Sequence, residues 1–256
     1  MRLTGFQDRT AIVTGAAGGI GRSVVAALVE AGARVIATDT EAALQAAPVP
    51  GAENRALDVR DAKATEALVA GVEAAHGPLA LGVHAAGVLG IAPILDMAPQ
   101  EWDRVMGVNA TGTFNVTRAF GRAMARQGRG AIVAVSSNAA GIPRLNMGAY
   151  AASKAAATML VRCLGLELAA RGVRCNIVAP GSTLTPMQTA MWAEDGGAGE
   201  RAVIEGSLEA YRTGIPLKKL ATPEDIAGAV MFLLSDQAGH VTMADLYVDG
   251  GATMRA

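Results

Sequence analysis

The stretch Thr14-Gly15-Ala16-Ala17-Gly18-Gly19-Ile20-Gly21 decides the fold. It follows a short apolar run, Thr10–Thr14, and opens an amphipathic run from about Ile20 to Ala31 that Gly32 closes. A strand that passes through a glycine turn into a helix needs backbone freedom at Gly15. It also needs room for close approach at Gly19 and tight helix packing at Gly21. The free N–H groups and partial positive charge of the helix start then form a seat for a pyrophosphate. Alone, such a cluster also fits an ordinary βα turn. Its place after the first strand is what points to a dinucleotide.

Outward from this turn, short apolar runs alternate with longer Ala-rich amphipathic ones. Strands are expected at Arg34–Thr38, Arg55–Leu57, Leu79–Ala85, Ala131–Ser136, Val173–Val178 and Leu246–Val248. Helices are expected at about Ala62–Ala75, Trp102–Arg126, about Tyr150–Ala170 and Pro223–Leu234. The strand runs are apolar throughout, as strands covered on both faces are. The alternation implies βαβ crossovers, and so an α/β fold with one doubly wound, mainly parallel sheet between two helical layers. No internal repeat or linker divides residues 1–256. A segment at about 185–214, with Gly196, Gly197 and Gly199, breaks the rhythm and reads as a substrate lid; a plain surface insertion is the other reading.

Composition narrows the function. Net charge is −1 and no Lys/Arg run exceeds two residues, which disfavours nucleic acid as a partner. No apolar run reaches the ~18 residues of a membrane span. The start, Met-Arg-Leu-Thr-Gly-Phe-Gln-Asp-Arg, has no apolar signal region. The two cysteines, Cys163 and Cys175, and the scattered His76, His84 and His240 lack ligand spacing. No metal site is expected, and reduced cysteines fit a cytoplasmic protein.

Asp39 stands at the end of the second strand. A carboxylate there accepts hydrogen bonds from both ribose hydroxyls and repels a 2′-phosphate. The next residue is Thr40 instead of an arginine, so NAD is favoured over NADP, with Arg22 the one nearby cation arguing otherwise.

Tyr150-Ala151-Ala152-Ser153-Lys154 places a phenol and an ammonium on one helical face. A free phenol titrates near about 10 and is a poor base at neutral pH. The ammonium, with the positive charge of an oxidised nicotinamide, favours its phenolate. Ser137, ending the fifth strand, can hold a substrate oxygen while Tyr150 moves its proton. Asn109, in the middle of a long helix, needs polar partners if buried, and its expected role is to hold a water that extends the proton relay from Lys154. Each feature alone is commonplace; their combination with the glycine turn is not.

Taken together, Thr14–Gly21, Asp58-Val59, Ala85-Ala86-Gly87, Asn109, Ser137, Tyr150 with Lys154, Pro180-Gly181 and the tail Val248-Asp249-Gly250-Gly251 resemble the short-chain dehydrogenase/reductase family over nearly the whole chain. The resemblance implies a single Rossmann-type domain, a homotetramer, and Asn109, Ser137, Tyr150 and Lys154 as a catalytic tetrad. It implies cofactor contacts from Gly15, Gly19, Ile20, Gly21 and Asp39 in the first half of the fold. Asp58 and Val59 would meet adenine, Ala86 and Gly87 would line the cofactor, and Pro180, Gly181, Thr183 and Thr185 would stand at its nicotinamide end. One departure is His84, where the family commonly has Asn; a structural adjustment is expected there.

Four further stretches, Pro143–Tyr150, Gly172–Asn176, Pro180–Gln188 with Trp192, and Gly214–Leu217, are similar to a branch of that family. That branch oxidises dihydro-dihydroxybenzoates to 2,3-dihydroxybenzoate for catechol siderophores. On this reading Arg144 pairs with the substrate carboxylate, Met147, Met187 and Trp192 cover its ring, and Gln188 binds polar substituents. A dihydro-3-hydroxyanthranilate substrate, a generic ketone or 3-oxoacyl reductase, and a non-catalytic dinucleotide sensor are the alternatives. The intact Tyr150–Lys154 pair speaks against the sensor.

Overall fold

A computed structural model describes residues 2–192 and 198–255. The first half runs β1 (Thr10–Thr14), α1 (Gly19–Glu30), β2 (Arg34–Asp39), α2 (Glu41–Ala46), β3 (Glu53–Ala56), α3 (Ala62–His76) and β4 (Leu79–His84). The second half runs α4 (Pro99–Met106), α5 (Gly112–Gln127), β5 (Gly130–Val135), α6 (Gly148–Ala169), β6 (Val173–Pro180), α7 (Pro186–Thr189), α8 (Ala198–Glu205), α9 (Pro223–Leu234) and β7 (Asp245–Val248). The seven strands form one parallel sheet in the order β3-β2-β1-β4-β5-β6-β7.

Period-two alternation sends successive side chains of β1 to opposite faces. Ala11 and Val13 join Val24, Val25 and Leu28 of α1 and Ile226 and Val230 of α9 on one side. Ile12 joins Val69, Val116, Phe120, Val161 and Ile177 on the other, under α3, α5 and α6. Both layers are fully buried, each side chain contributing about 1.5–3 kcal/mol. Gly82 in β4 lets one of them seat: a Cβ there would lie 2.4 Å from the Phe120 ring.

Strand order reverses between β1 and β4, and ligands in such sheets bind in the crevice beyond the carboxyl ends of the strands at that point. The turn after β1 and the chain after β4 meet there back to back, since a Cβ on Gly15 would lie 2.4 Å from the Ala86 nitrogen.

One expectation is corrected. The helix expected as one piece over Trp102–Arg126 starts earlier, at Pro99, and is interrupted by a π turn at Gly107–Thr111. The π turn inserts one residue into the ladder, which aims Asn109 inward; helical periodicity in the sequence does not show this. Between β2 and β3 the chain also forms α2, which Thr40 caps by accepting from Ala43 N. Within the proposed lid, α7, a 3-10 turn (Ala190–Trp192) and α8 are regular; Gly196 and Gly197 lie outside the described residues. Among the described residues no helix is long and apolar enough to cross a membrane.

Candidate active site

Strand β5 and the first turns of α6 build the floor of the site. Ser137 follows β5, is buried, and accepts from Ala139 N at 3.1 Å. Ser136 beside it binds Thr158 at 2.7 Å and so pins α6 to the strand. Tyr150 and Lys154 then face the strand end. The Lys154 ammonium donates to the Val135 carbonyl at 3.0 Å and lies 5.8 Å from the centre of the Tyr150 ring. The Ser137 hydroxyl lines the same cavity as the Tyr150 phenol and acts on its proton affinity.

Asn109 is buried and fully engaged. Its Oδ1 accepts from Val88 N at 2.8 Å; its Nδ2 donates to Val88 O at 2.9 Å and to Ser153 Oγ at 3.0 Å. Ser153 in turn donates to the Tyr150 carbonyl at 2.7 Å. The π turn is thereby tied to the helix that carries the phenol. Gly87 keeps the space between them open: a Cβ there would sit 3.1 Å from Lys154 Nζ and 3.4 Å from Asn109 Oδ1. The sequence reading assigned no role to Ser136 or Ser153. The signal for the latter was a serine three residues after the tyrosine on the same helical face.

Burial pushes the Tyr150 phenol above its ordinary value, against a smaller lowering by the Ser137 hydroxyl. Burial also pulls Lys154 down to about 8. The expected lowering of Tyr150 by Lys154 is therefore not produced by the chain's own atoms. The lysine donates to Val135 instead of the phenol oxygen, and desolvation outweighs what remains.

A groove of about 360 Å³ runs over the glycine turn. Gly15, Gly19, Ile20 and Gly21 line it, with Asp39, Asp58, Val59, Ala86, Gly87 and Thr185. Gly18 caps α1 without a side-chain hydrogen bond, leaving the helix-start N–H groups to a ligand. A Cβ on Gly21 would fall 2.1 Å from the Gly15 carbonyl oxygen, so only glycine closes this turn. The Asp39 carboxylate accepts from Ala17 N at 3.0 Å and Thr40 N at 2.8 Å and faces the groove. Arg22 is used elsewhere, donating to the Ala47 and Pro48 carbonyls. Arg60, which the sequence reading passed over, lines the far end paired with Asp58 at 2.6 Å. A free helix start over a glycine turn, with a carboxylate at the end of β2, fits a dinucleotide.

The groove opens into a cavity of about 410 Å³ holding Ser137, Tyr150 and Lys154. Arg144, Met147, Met187, Gln188 and Trp192 all line it, as do Pro180, Gly181 and Thr183. Thr185 is the hinge between the two spaces: it caps α7 and its methyl lies 2.9 Å from where a Gly19 Cβ would be. Arg144 reaches Asn138 Oδ1 at 3.4 Å, and Asn138 Nδ2 reaches Asp249 at 3.3 Å, so the tail supports this wall. Arg212, from the segment after α8, also lines the cavity; the sequence reading missed it because nothing local marks it.

Comparison with known proteins agrees with this geometry. A family model described as enoyl-(acyl carrier protein) reductase matches residues 15–253. The chain is 48% identical to the 2,3-dihydro-2,3-dihydroxybenzoate dehydrogenase of Bacillus subtilis, over 99% of each chain. It is 43% identical to the vibriobactin-specific 2,3-dihydro-2,3-dihydroxybenzoate dehydrogenase of Vibrio cholerae, over 95% of each. The ligand-free aldohexose dehydrogenase of Thermoplasma acidophilum superposes with a TM-score of 0.88 at 29% identity, covering 100% of this chain and 98% of that one. The fold, the glycine turn and the Tyr150–Lys154 centre define an oxidoreductase that works with a nicotinamide dinucleotide. The chain belongs to the short-chain dehydrogenase/reductase family.

Proposed function

We propose that the protein oxidises the C3 hydroxyl of 2,3-dihydro-2,3-dihydroxybenzoate with NAD, giving 2,3-dihydroxybenzoate for siderophore or related biosynthesis. The observation that carries this reading is the cavity itself. A Ser137–Tyr150–Lys154 centre shares its walls with Arg144, and among the described residues every charged side chain lining it is basic. Identity of 48% to a dehydrogenase of that name along the whole chain supports the same substrate class.

The residues act as follows. Arg144 meets the ring carboxylate, while Met147, Met187 and Trp192 enclose the ring and Gln188 holds a polar substituent. Ser137 accepts or donates at the C3 oxygen and orients it toward Tyr150. The Tyr150 phenolate takes the C3 hydroxyl proton, while Lys154, anchored to the Val135 carbonyl, stands beside it. Asn109 and Ser153 fix the helix on which both stand. The chemistry that bound NAD supplies is acceptance of the hydride from C3. The resulting C3 ketone has an acidic C2–H; moving that proton to oxygen completes the aromatic ring and draws the oxidation forward. Asp39, with no free cation beside it among the described residues, supports NAD over its 2′-phosphorylated form.

On the same reading the enzyme is a cytoplasmic homotetramer with 185–214 as a substrate lid. Exposed Trp102, Phe114, Met159 and Leu166 on α4, α5 and α6 support assembly through these helices. Sedimentation velocity tests it, and a monomer would remove it. For the reaction, the purified protein is given the diol acid with NAD or NADP, and NADH and catechol-acid fluorescence are followed. Stoichiometric NADH and 2,3-dihydroxybenzoate are expected. Faster turnover of an open-chain polyol or a 3-hydroxyacyl thioester would overturn it.

A further inference from the structure

Arg212 stands on a turn whose backbone is unusually constrained. Ser207 and Arg212 exchange both backbone hydrogen bonds, at 2.9 and 2.8 Å, closing a short antiparallel bridge. Glycines with positive φ bracket it: Gly206 (φ 89°) and Gly214 (φ 81°). A Cβ on Gly206 would lie 2.4 Å from the Arg212 carbonyl oxygen, and one on Gly214 would lie 2.6 Å from the Ile204 carbonyl oxygen. Ile215 N donates to that same Ile204 oxygen at 2.9 Å and ties the turn to the end of α8. The turn therefore delivers one long cationic side chain to one place, the cavity wall.

What it meets there is another cation. Arg144 lies within Coulombic reach of Arg212, and both are half-buried. Burial and the Arg212 charge both pull Arg144 below its ordinary value, and burial does the same to Arg212. The carboxylate acting on Arg144, Asp249, is occupied: it accepts from Gly251 N at 2.9 Å, Thr253 N at 3.1 Å and Thr253 Oγ1 at 2.7 Å. Among the described residues Arg212 has no side-chain hydrogen bond, and Arg144 has only the 3.4 Å contact to Asn138. Two partly desolvated guanidinium groups facing one cavity repel, unless an anion enters between them.

We propose that Arg144 and Arg212 form a two-armed clamp for the carboxylate of the substrate, Arg212 being supplied by the Ser207–Arg212 turn after α8. The inference rests on the proposed diol-acid substrate and adds to it the residue that selects the carboxylate from the lid side. One arm stands on the loop before α6; the other stands on its glycine-bracketed turn. A planar carboxylate offers two oxygens, one to each fork. The decarboxylated diol would leave both cations unneutralised and bind weakly.

The test compares wild type, Arg212→Gln, Arg212→Lys, Arg144→Gln and the double Gln variant. Each is assayed on the diol acid and on the corresponding cyclohexadiene diol without the carboxylate. Arg212→Gln should lose about 10- to 100-fold in kcat/KM on the acid, mostly through KM. It should lose no more than about threefold on the analogue, with Arg212→Lys recovering part of the loss. The double variant should lose less than the product of the single losses, because both arms hold one group. Thermal shifts give a second readout: 2,3-dihydroxybenzoate should stabilise wild type far more than catechol does, and Arg212→Gln should remove that difference. Equal losses on acid and analogue would overturn the clamp and leave Arg212 a structural support of the turn. If wild type oxidises no such acid, the substrate reading fails; the clamp is then judged on binding alone, and equal stabilisation of wild type by 2,3-dihydroxybenzoate and catechol would overturn it.

Discussion

Lys154 donates its ammonium proton to the Val135 carbonyl at 3.0 Å, so the lysine is anchored to the end of β5 while its charge lies 5.8 Å from the Tyr150 ring centre. With burial raising Tyr150, the chain's own groups leave the phenol neutral at neutral pH. The charge able to lower it is that of oxidised nicotinamide. Ultraviolet difference titration of wild type minus Tyr150→Phe should therefore place the phenol above about 10 in the protein alone and lower in saturating NAD. Oxidation should accelerate with rising pH through that lower value. Tyr150→Phe should lose about 10³-fold or more in kcat. An unchanged titration on adding NAD would show that the cofactor charge does not activate this tyrosine.

Asp39 offers a second check. Its carboxylate is held by Ala17 N and Thr40 N at the end of β2. Asp39→Ser should lower kcat/KM for NAD about tenfold, a loss of about 1.4 kcal/mol, while admitting NADP. The gain with NADP should stay small, because Arg22 is committed to the Ala47 and Pro48 carbonyls and cannot reach a phosphate without leaving them. Adding Thr40→Arg should enlarge it. Steady-state kinetics with both cofactors decides, and equal use of the two by wild type would remove Asp39 from this role.

Much of this was legible in the sequence, for physical reasons. Buried parallel strands announce themselves as apolar runs, and the glycine turn as a spacing that only tight backbone contacts require. Pro223–Leu234 matches α9 end to end because Thr222 and Asp225 form a reciprocal cap. Three features were not legible. The π turn at Asn109 leaves no mark on hydrophobic periodicity. The coupling of Ser136 to Thr158 and of Ser153 to Asn109 depends on how α6 docks. Arg212 lies in a polar stretch, and only the fold carries it to Arg144.

The glycines separate conformational strain from collision. Gly15 (φ 68°) and Gly128 (φ 73°) both occupy the left-handed region, where alanine costs about 1 kcal/mol. A Cβ on Gly128 meets nothing within 4 Å, whereas one on Gly15 would meet Ala86 N at 2.4 Å, between β1 and β4. Gly128→Ala should lose about 1 kcal/mol in urea unfolding and keep its cofactor affinity. Gly15→Ala should lose at least about 2 kcal/mol and bind NAD at least tenfold more weakly, because the phosphate seat moves with the turn. Similar unfolding midpoints for the two variants would contradict the close approach.

His84 carries the last prediction. It ends β4 fully buried, its Nδ1 2.8 Å from Thr14 Oγ1, and its Nε2 has no partner among the described residues. The adjustment expected where the family commonly has Asn is thus a link between β4 and β1. Burial, and secondarily the Lys154 charge, pull its pKa from 6.5 to about 3, so the folded protein holds it neutral. Below pH 6.5 the unfolded chain takes a proton that the folded chain refuses. The unfolded state then binds more protons, and stability falls as the pH drops from 6.5 toward 3. The full span corresponds to on the order of 5 kcal/mol. His84→Asn removes the titrating group and keeps an amide for Thr14. Between pH 6.5 and 4 the urea midpoint of the variant should fall less steeply than that of wild type, while the two curves run parallel above pH 7. Parallel curves across the whole range would mean that His84 takes up its proton in the folded protein as readily as in the unfolded chain.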